Sequence, residues 1–337
     1  MYPIRFVEFM IKRNVQHMIL HVTARCNLEC KHCFVDLTVK DELNIDEYKG
    51  LAEETGKLFW LDIGGGEPFL RVDLPEIASA FMADIITIPT NGWYTDRIVS
   101  SLKLLRDLTS AELYLSLSID GLKNTHGSIR NDEEGWGRAW RTFHKVRELK
   151  GISLKINTVL SKANAGELLE LMRYVREQDP DFHSVILLRG TPKDPEFTLP
   201  SIEELRVLAP EILKIQASYD YGKSPLVSYL LRNYNRYLWV VSLETLKKKM
   251  QVISCLAGRA HMVVYANGDV SSCELLPVIG NVKEKSLRGI MKSDEFLNQK
   301  QHIIDKKCYC THNCAMLDSI LLNPRHLPHL LYRSKGI

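Results

Sequence analysis

The stretch TARCNLECKHCF, residues 23–34, sets Cys26, Cys30 and Cys33 within eight positions, in the spacing C-x3-C-x2-C. Thiols crowded in this way hold metal, and two kinds of centre compete for them. Structural zinc takes four ligands in a closed set, commonly as two C-x2-C pairs. Here one such pair is present with a single extra cysteine before it, and His32, the nearest further ligand, would have to bend back from between two of the thiols. A [4Fe–4S] cube is also held by thiolates, and three protein ligands leave one iron open to a substrate or cofactor. The other five cysteines are Cys255, Cys273, Cys308, Cys310 and Cys314, with none between Cys33 and Cys255. That segregation points to two metal centres on two pieces of structure.

The elements that must position these thiols follow from hydrophobic periodicity. Strands are expected over 17–23, 58–64, 84–90, 112–120, 152–160 and 183–190, with amphipathic helical segments between them. Six β-then-α units in a row imply a parallel sheet with right-handed crossovers. Every chemical signal lies just after a strand, on the face where α/β proteins place their sites. A Pro-rich connection follows at 191–200, then a long helical stretch over 201–249. GRAHMVVYANGDVSSCE reads as a β-hairpin turning at Asn267–Gly268. The expected organisation is a barrel-type domain over 1–200, a helical linker over 201–250, a cysteine-bearing module over 251–320 and a tail over 321–337.

Composition bounds the rest. The chain has 337 residues, 45% hydrophobic and 25% charged, with a net charge of +3, which is ordinary for a soluble globular protein. So mild a charge argues against a nucleic-acid partner. No run reaches the roughly 18 apolar residues of a membrane span, and no signal peptide is evident. The expected compartment is the reducing cytoplasm, where metal ligation is a commoner use of cysteine than disulfides.

The cysteine loop after the first strand resembles that of the radical S-adenosylmethionine (SAM) superfamily, with His32 where an aromatic residue commonly stands. The resemblance implies an α/β fold, a partial TIM-like (β/α)6 barrel, and a SAM-binding [4Fe–4S] cluster on Cys26, Cys30 and Cys33. In that family the open iron chelates SAM, and one-electron cleavage yields a 5′-deoxyadenosyl radical that takes a hydrogen atom from substrate; the cofactor carries the hard step. In DIGGGEPFL the glycines permit close backbone approach, and Gly65, Gly66 and Glu67 match a family element that binds the SAM amino group. Ser118 and Arg130, twelve residues apart, match an S-x-D-G…R pattern assigned to the SAM ribose or carboxylate region and to its carboxylate. Surface placement is the plain alternative for Arg130, and Asp120 reads as a turn residue. Asn91 and Asn157 are expected as polar contacts to SAM or substrate. Leu187 and Leu188 are expected either beside the adenine or in the core.

The second group, C-x12-G-x4-C followed by CYCTHNC, resembles the auxiliary-cluster module called SPASM in its long form and twitch in its short form. This implies a small C-terminal β-hairpin and helix domain with one auxiliary [4Fe–4S] cluster, on Cys255, Cys273, Cys310 and Cys314, with Cys308 as the alternate. Zinc is the competing occupant. A fully ligated cluster would accept an electron and favour net oxidation; a three-cysteine one would hold substrate. Arg189 is the candidate for orienting an anionic substrate or assisting proton removal, or is structural. Only 25 residues precede Cys26, too few for a leader-peptide domain, so a small-molecule, sugar or lipid-linked substrate is expected. The alternatives are a peptide maturase acting on a separately delivered peptide and a non-catalytic metal-binding regulator. A flavodoxin- or ferredoxin-type protein is the implied electron donor. MYPIRFVEFMIKRN and SILLNPRHLPHLLYRSK mix apolar with basic residues. Such segments pack on the barrel or associate weakly with a membrane surface.

Overall fold

The structure, a computed structural model, describes residues 9, 10 and 15–332. The N-terminal apolar and basic segment lies outside these apart from Phe9 and Met10, as do residues 333–337.

Six βα units form in the expected order. They are β1 (His17–Thr23), α1 (Ile45–Thr55), β2 (Leu58–Gly65), α2 (Leu74–Ala80), β3 (Ala83–Thr90), α3 (Thr95–Leu108), β4 (Glu112–Ser118), α4 (Lys123–Arg130), α5 (Gly135–Arg147), β5 (Ile152–Leu160), α6 (Leu168–Glu177), β6 (Phe182–Leu187) and α7 (Ile202–Gln216). After them come α8 (Pro225–Lys248), β7 (His261–Val264), β8 (Asp269–Ser271), β9 (Gly280–Asn281), α9 (Leu287–Ile290), α10 (Asp294–Ile304), α11 (Asn313–Leu321) and α12 (Leu327–Leu331). The helices start where the sequence supplies caps. Asn44 accepts from the Asp46 and Glu47 N–H groups at the head of α1 while Glu47 takes the Asn44 N–H, a reciprocal capping box.

β1 to β6 pair in parallel, and the sheet order is β6-β5-β4-β3-β2-β1-β7-β8-β9. The hairpin expected as part of a separate module therefore joins the barrel sheet. β7 lies parallel to β1, His17 opposite His261, and β8 turns back at Gly268, whose φ of 91° suits glycine. The supposed linker divides into α7 and α8. α7 is the helix of the sixth βα unit: its Leu205, Ala209 and Ile212 share a cluster with Leu160, Val185 and Leu187 of the strands. α8 leads to the C-terminal helices through Tyr237, Val241, Met316 and Ile320.

Strand alternation gives the sheet two unlike faces. Met18, Leu20, Val22, Leu61, Ile63, Ile86, Ile88, Leu115, Leu117, Leu154 and Ile156 are buried in the main core with the helices. The alternate positions carry His17, His21, Asp62, Thr87, Ser116, Lys155 and Asn157, a polar inner face. α11 meets this face, with Asp318 bonded to His17 and Cys314 to Asp62.

Arg71 ties the end of β1 to the chain returning at α1. Its guanidinium donates to Val22 O at 3.0 Å and Leu43 O at 2.7 Å and ion-pairs with Asp73 at 2.8 Å. Replacing Arg71 with Ala is expected to cost about 3 kcal/mol of stability, read from urea unfolding, because two buried carbonyls lose charged donors. A change below about 0.5 kcal/mol would contradict this role.

Candidate active site

The loop leaving β1 carries Cys26, Cys30 and Cys33, and main-chain bonds from three neighbours fix its path. At the end of β2 the Gly66 N–H donates to Thr23 O at 2.8 Å and the Glu67 N–H to Arg25 O at 2.9 Å. The Lys31 N–H donates to Ile129 O of α4 at 2.9 Å, and beyond β6 the Lys193 N–H donates to Cys33 O at 2.9 Å. Glycine is required at the β2 end. A Cβ on Gly65 would stand 2.3 Å from Thr23 O, and one on Gly66 would stand 2.1 Å from Arg25 O.

Glu67 is buried, and both its oxygens already accept from the protein. Oε1 takes the Thr90 hydroxyl at 2.8 Å and the Phe69 N–H at 3.3 Å, and Oε2 takes the Asn91 N–H at 2.8 Å. Burial pushes its carboxyl up to about 7, against the pull of these bonds. The side chain thus clamps β2 to β3, where the sequence suggested an acceptor open to SAM. Asn91 donates from Nδ2 to Asn27 Oδ1 at 2.9 Å, which brings it to the cysteine loop.

Arg130 and Asp120 also depart from expectation. The segment read as a loop is α4, and Arg130 is buried with Nε and Nη2 on Asp120 Oδ2 at 2.9 and 2.7 Å. Its fork is engaged by Asp120, where the resemblance implied the SAM carboxylate. Asp120 is no exposed turn residue: it also accepts the Val159 N–H at 2.8 Å and lies 3.7 Å from His32 Nε2. Burial alone would raise its carboxyl, but Arg130, His32 and His126 hold it down to about 2. Burial first of all pushes the Cys30 thiol up to about 11, with Arg130 opposing. Metal ligation would displace such a proton.

Several buried polar atoms near the cysteine loop and on the inner face have no hydrogen-bond partner among the described residues. They are Asn27 Nδ2, His32 Nδ1, Asn157 Oδ1, Ser116 Oγ and Arg189 Nε. Orphans of this kind call for a ligand or water, and a polar cofactor above the three thiols fits them. Ser118 pairs with Asn157 in the sheet register and is half-buried. Leu188 is buried, its N–H bonded to Leu160 O at 3.0 Å, and Leu187 belongs to the core. Arg189 lies just beyond β6, its guanidinium 5.0 Å from the Phe34 ring centre. Its charge acts on His32 of the first cysteine loop and on Cys310, His312 and Cys314, so Arg189 influences residues of both cysteine-bearing segments.

In the second group Cys273 belongs to a buried cluster with Ala257 and Ile303, against which Cys255 and Cys308 pack. Burial is the main cause that raises the Cys255 thiol to about 12, followed among the neighbouring thiols by Cys310 and Cys308. Burial also raises Cys273 well above its ordinary value, with Cys310 and Cys255 adding to it. Mutual charge effects link Cys255, Cys273, Cys308 and Cys310. Cys314, which the sequence reading preferred to Cys308, points its thiol at Asp62 Oδ2, 3.3 Å away. Its position at the head of α11 turns it to the inner face, whereas Cys308 and Cys310 precede the helix.

The sequence reading missed the acid and histidine groups of the inner face. Glu274 lies between His21, at 2.8 Å, and His312, at 2.6 Å. Burial opposes its ionisation, yet the two rings hold it well below the ordinary carboxylate range. Asp318 joins His17 and His261. The available signal was strand alternation: His17 and His21 fall on one side of β1, and Lys155 is a charge at an inward position of β5.

Both cysteine groups fall within segments that match known family models. The family model described as the radical SAM superfamily matches residues 20–175, and one described as an iron–sulfur cluster-binding domain matches residues 255–315. The chain belongs to the radical SAM superfamily and carries that second domain. Membership brings SAM, its [4Fe–4S] cluster and auxiliary iron–sulfur binding. Among curated relatives, the AdoMet-dependent heme synthase of Methanosarcina barkeri is 27% identical over 311 residues, 86% of this chain and 85% of that protein. The Fe-coproporphyrin III synthase of the same organism is 29% identical over 168 residues, 48% of this chain and 41% of the relative's length. A PqqA peptide cyclase of Rhizobium meliloti is 24% identical over 303 residues, 83% of this chain and 74% of the cyclase. Among solved structures, anSMEcpe with bound AdoMet superposes with a TM-score of 0.63 at 17% identity, over 86% of this chain and 83% of its own, a likeness of fold. Among the described residues no helix is long and apolar enough to cross a membrane.

The Asp120 shift predicts acid sensitivity. A carboxyl lowered from 3.8 to about 2 contributes stability above pH 4 that is lost as pH falls through 2. Cluster-free protein should lose about 2 kcal/mol or more between about pH 4 and pH 2 by urea titration. A flat profile across that window would contradict the buried pair.

Proposed function

We propose that the protein is a radical SAM enzyme that takes a hydrogen atom from a small-molecule, sugar or lipid-linked substrate and completes a net oxidation with the help of an auxiliary [4Fe–4S] cluster. The observation that carries this is the pairing of a C-x3-C-x2-C loop, docked on a glycine strand end, with a second thiol group beyond Arg189. Bound to Cys26, Cys30 and Cys33 with SAM, the first cluster supplies the 5′-deoxyadenosyl radical. Gly65 and Gly66 shape the floor under SAM, Glu67 holds that floor to β3, and Asn91, Ser118, Asn157 and Leu188 line the cofactor. Arg130 acts through Asp120 to hold the cysteine loop.

The auxiliary cluster is assigned to Cys255, Cys273, Cys308 and Cys310, a complete set of four thiols. Arg189, with an unpartnered buried Nε, orients an anionic group of the substrate. Glu274, held ionised between His21 and His312, supplies a fixed negative charge on the inner face. The match to a heme synthase over 86% of this chain supports a small-molecule substrate of the tetrapyrrole type. The match to a peptide cyclase over 83% of the chain supports a second reading, modification of a peptide delivered by another protein. The reducing cytoplasm and a flavodoxin- or ferredoxin-type donor suit either chemistry.

Anaerobic reconstitution should give about eight irons per chain, and reduction should release 5′-deoxyadenosine from SAM. Replacing Cys30 with Ala should abolish that release, whereas Cys273→Ala should retain uncoupled SAM cleavage and lose product. Deuterium carried from a labelled carboxylated tetrapyrrole into 5′-deoxyadenosine supports the first substrate class, and transfer from a labelled peptide supports the second. Both clusters filled without SAM cleavage would remove the enzyme reading in favour of a metal-binding regulator.

A further inference from the structure

Two buried histidines share one carboxylate beneath the inner face. His17 on β1 and His261 on β7 stand opposite each other in the sheet. Each presents Nδ1 to Asp318 Oδ2, at 2.9 and 2.8 Å. Nε2 of each ring is left buried without a hydrogen-bond partner among the described residues. Beside His17, a ring nitrogen of that histidine, a carboxylate oxygen of Asp62 and Cys314 Sγ lie within 4.8 Å of one another. Cys314 bonds to Asp62, while Cys255 and Cys308 pack on the cluster that holds Cys273, so the triad stands apart from those three thiols.

We propose that His17, Asp62 and Cys314 bind one divalent transition-metal ion of the zinc type, separate from both iron–sulfur centres. Imidazole, carboxylate and thiolate form a donor set that zinc accepts, and three protein ligands leave a fourth position for water or a substrate atom. Asp318 behind His17 is the carboxylate–histidine arrangement that fixes a ligating ring. On binding, Cys314 exchanges its S–H bond for a bond to the metal, and the proton leaves to solvent. In metal-free protein the same thiol donates to Asp62. A metal there would polarise a substrate atom without taking part in the redox steps.

Protein purified anaerobically with both clusters filled is given one equivalent of Zn²⁺ and gel-filtered. The expected result is about one zinc per chain by elemental analysis, with a zinc K-edge absorption spectrum that fits one sulfur and otherwise nitrogen or oxygen. Asp62→Asn and His17→Ala should weaken zinc binding by about tenfold or more, and Asp318→Asn by about tenfold. All three should leave the iron content and the reduced-cluster EPR signals unchanged. Absence of retained zinc in the wild-type protein would overturn the proposal. So would a shell of four sulfurs, which puts zinc among the auxiliary cysteines. Loss of the auxiliary-cluster EPR signal in Cys314→Ser would also overturn it, by returning that thiol to the cluster. The wild-type stoichiometry and absorption spectrum decide the matter even where a variant fails to fold.

Discussion

The close approach of the β2 end to the loop leaving β1 is the constraint on which the rest of the site depends. Gly65 and Gly66 lie so near Thr23 O and Arg25 O that any side chain would force the loop away. With that contact made, the main chain of Gly66 and Glu67 fixes the start of the cysteine loop, and Asp120, through Arg130 and His32, fixes its far side. Three thiols on an unrestrained loop would not converge on one cube. The glycines give up side-chain packing so that the loop has a single seat.

The second constraint is the division of the sheet into an apolar outer face and a polar inner one. Helices cover the outer face and form with it the largest apolar cluster among the described residues. The inner face is thereby released to carry His21, Asp62, Lys155 and Asn157, groups that would be costly in an apolar core without partners. β7 extends the sheet from β1, so the hairpin that leads to Cys273 is rigidly registered to the barrel. α11 then meets the inner face at Asp62 and His17. The separation of the two cysteine groups is thus set by sheet pairing and a docked helix.

Much of this was legible in the residues. The six parallel strands followed from alternation and apolar runs, and the first cysteine loop from its spacing alone. The Asn267–Gly268 turn is legible because its backbone demand is local. What escaped the sequence were contacts between residues distant along the chain. Asp120 looked like a turn residue because Gly121 follows it, and only the packing of α4 brings Arg130 onto it. The sequence sets Cys308 aside for its C-x-C spacing and cannot see where α11 begins: Cys314, inside the helix, projects to Asp62 on the inner face, while Cys308 and Cys310 precede it. Glu274, His312 and Asp318 carry no motif and gain their partners only when the C-terminal helices close on the sheet.

The account rests on an iron–sulfur cube held by Cys26, Cys30 and Cys33 with one iron left for SAM. The most direct measurement is electron–nuclear double resonance on the reduced, cluster-loaded protein with SAM labelled by ¹⁵N at its amino group. The account predicts a nitrogen coupling that appears with labelled SAM and disappears in the Cys30→Ala variant. A reduced-cluster spectrum that SAM leaves unchanged would contradict it.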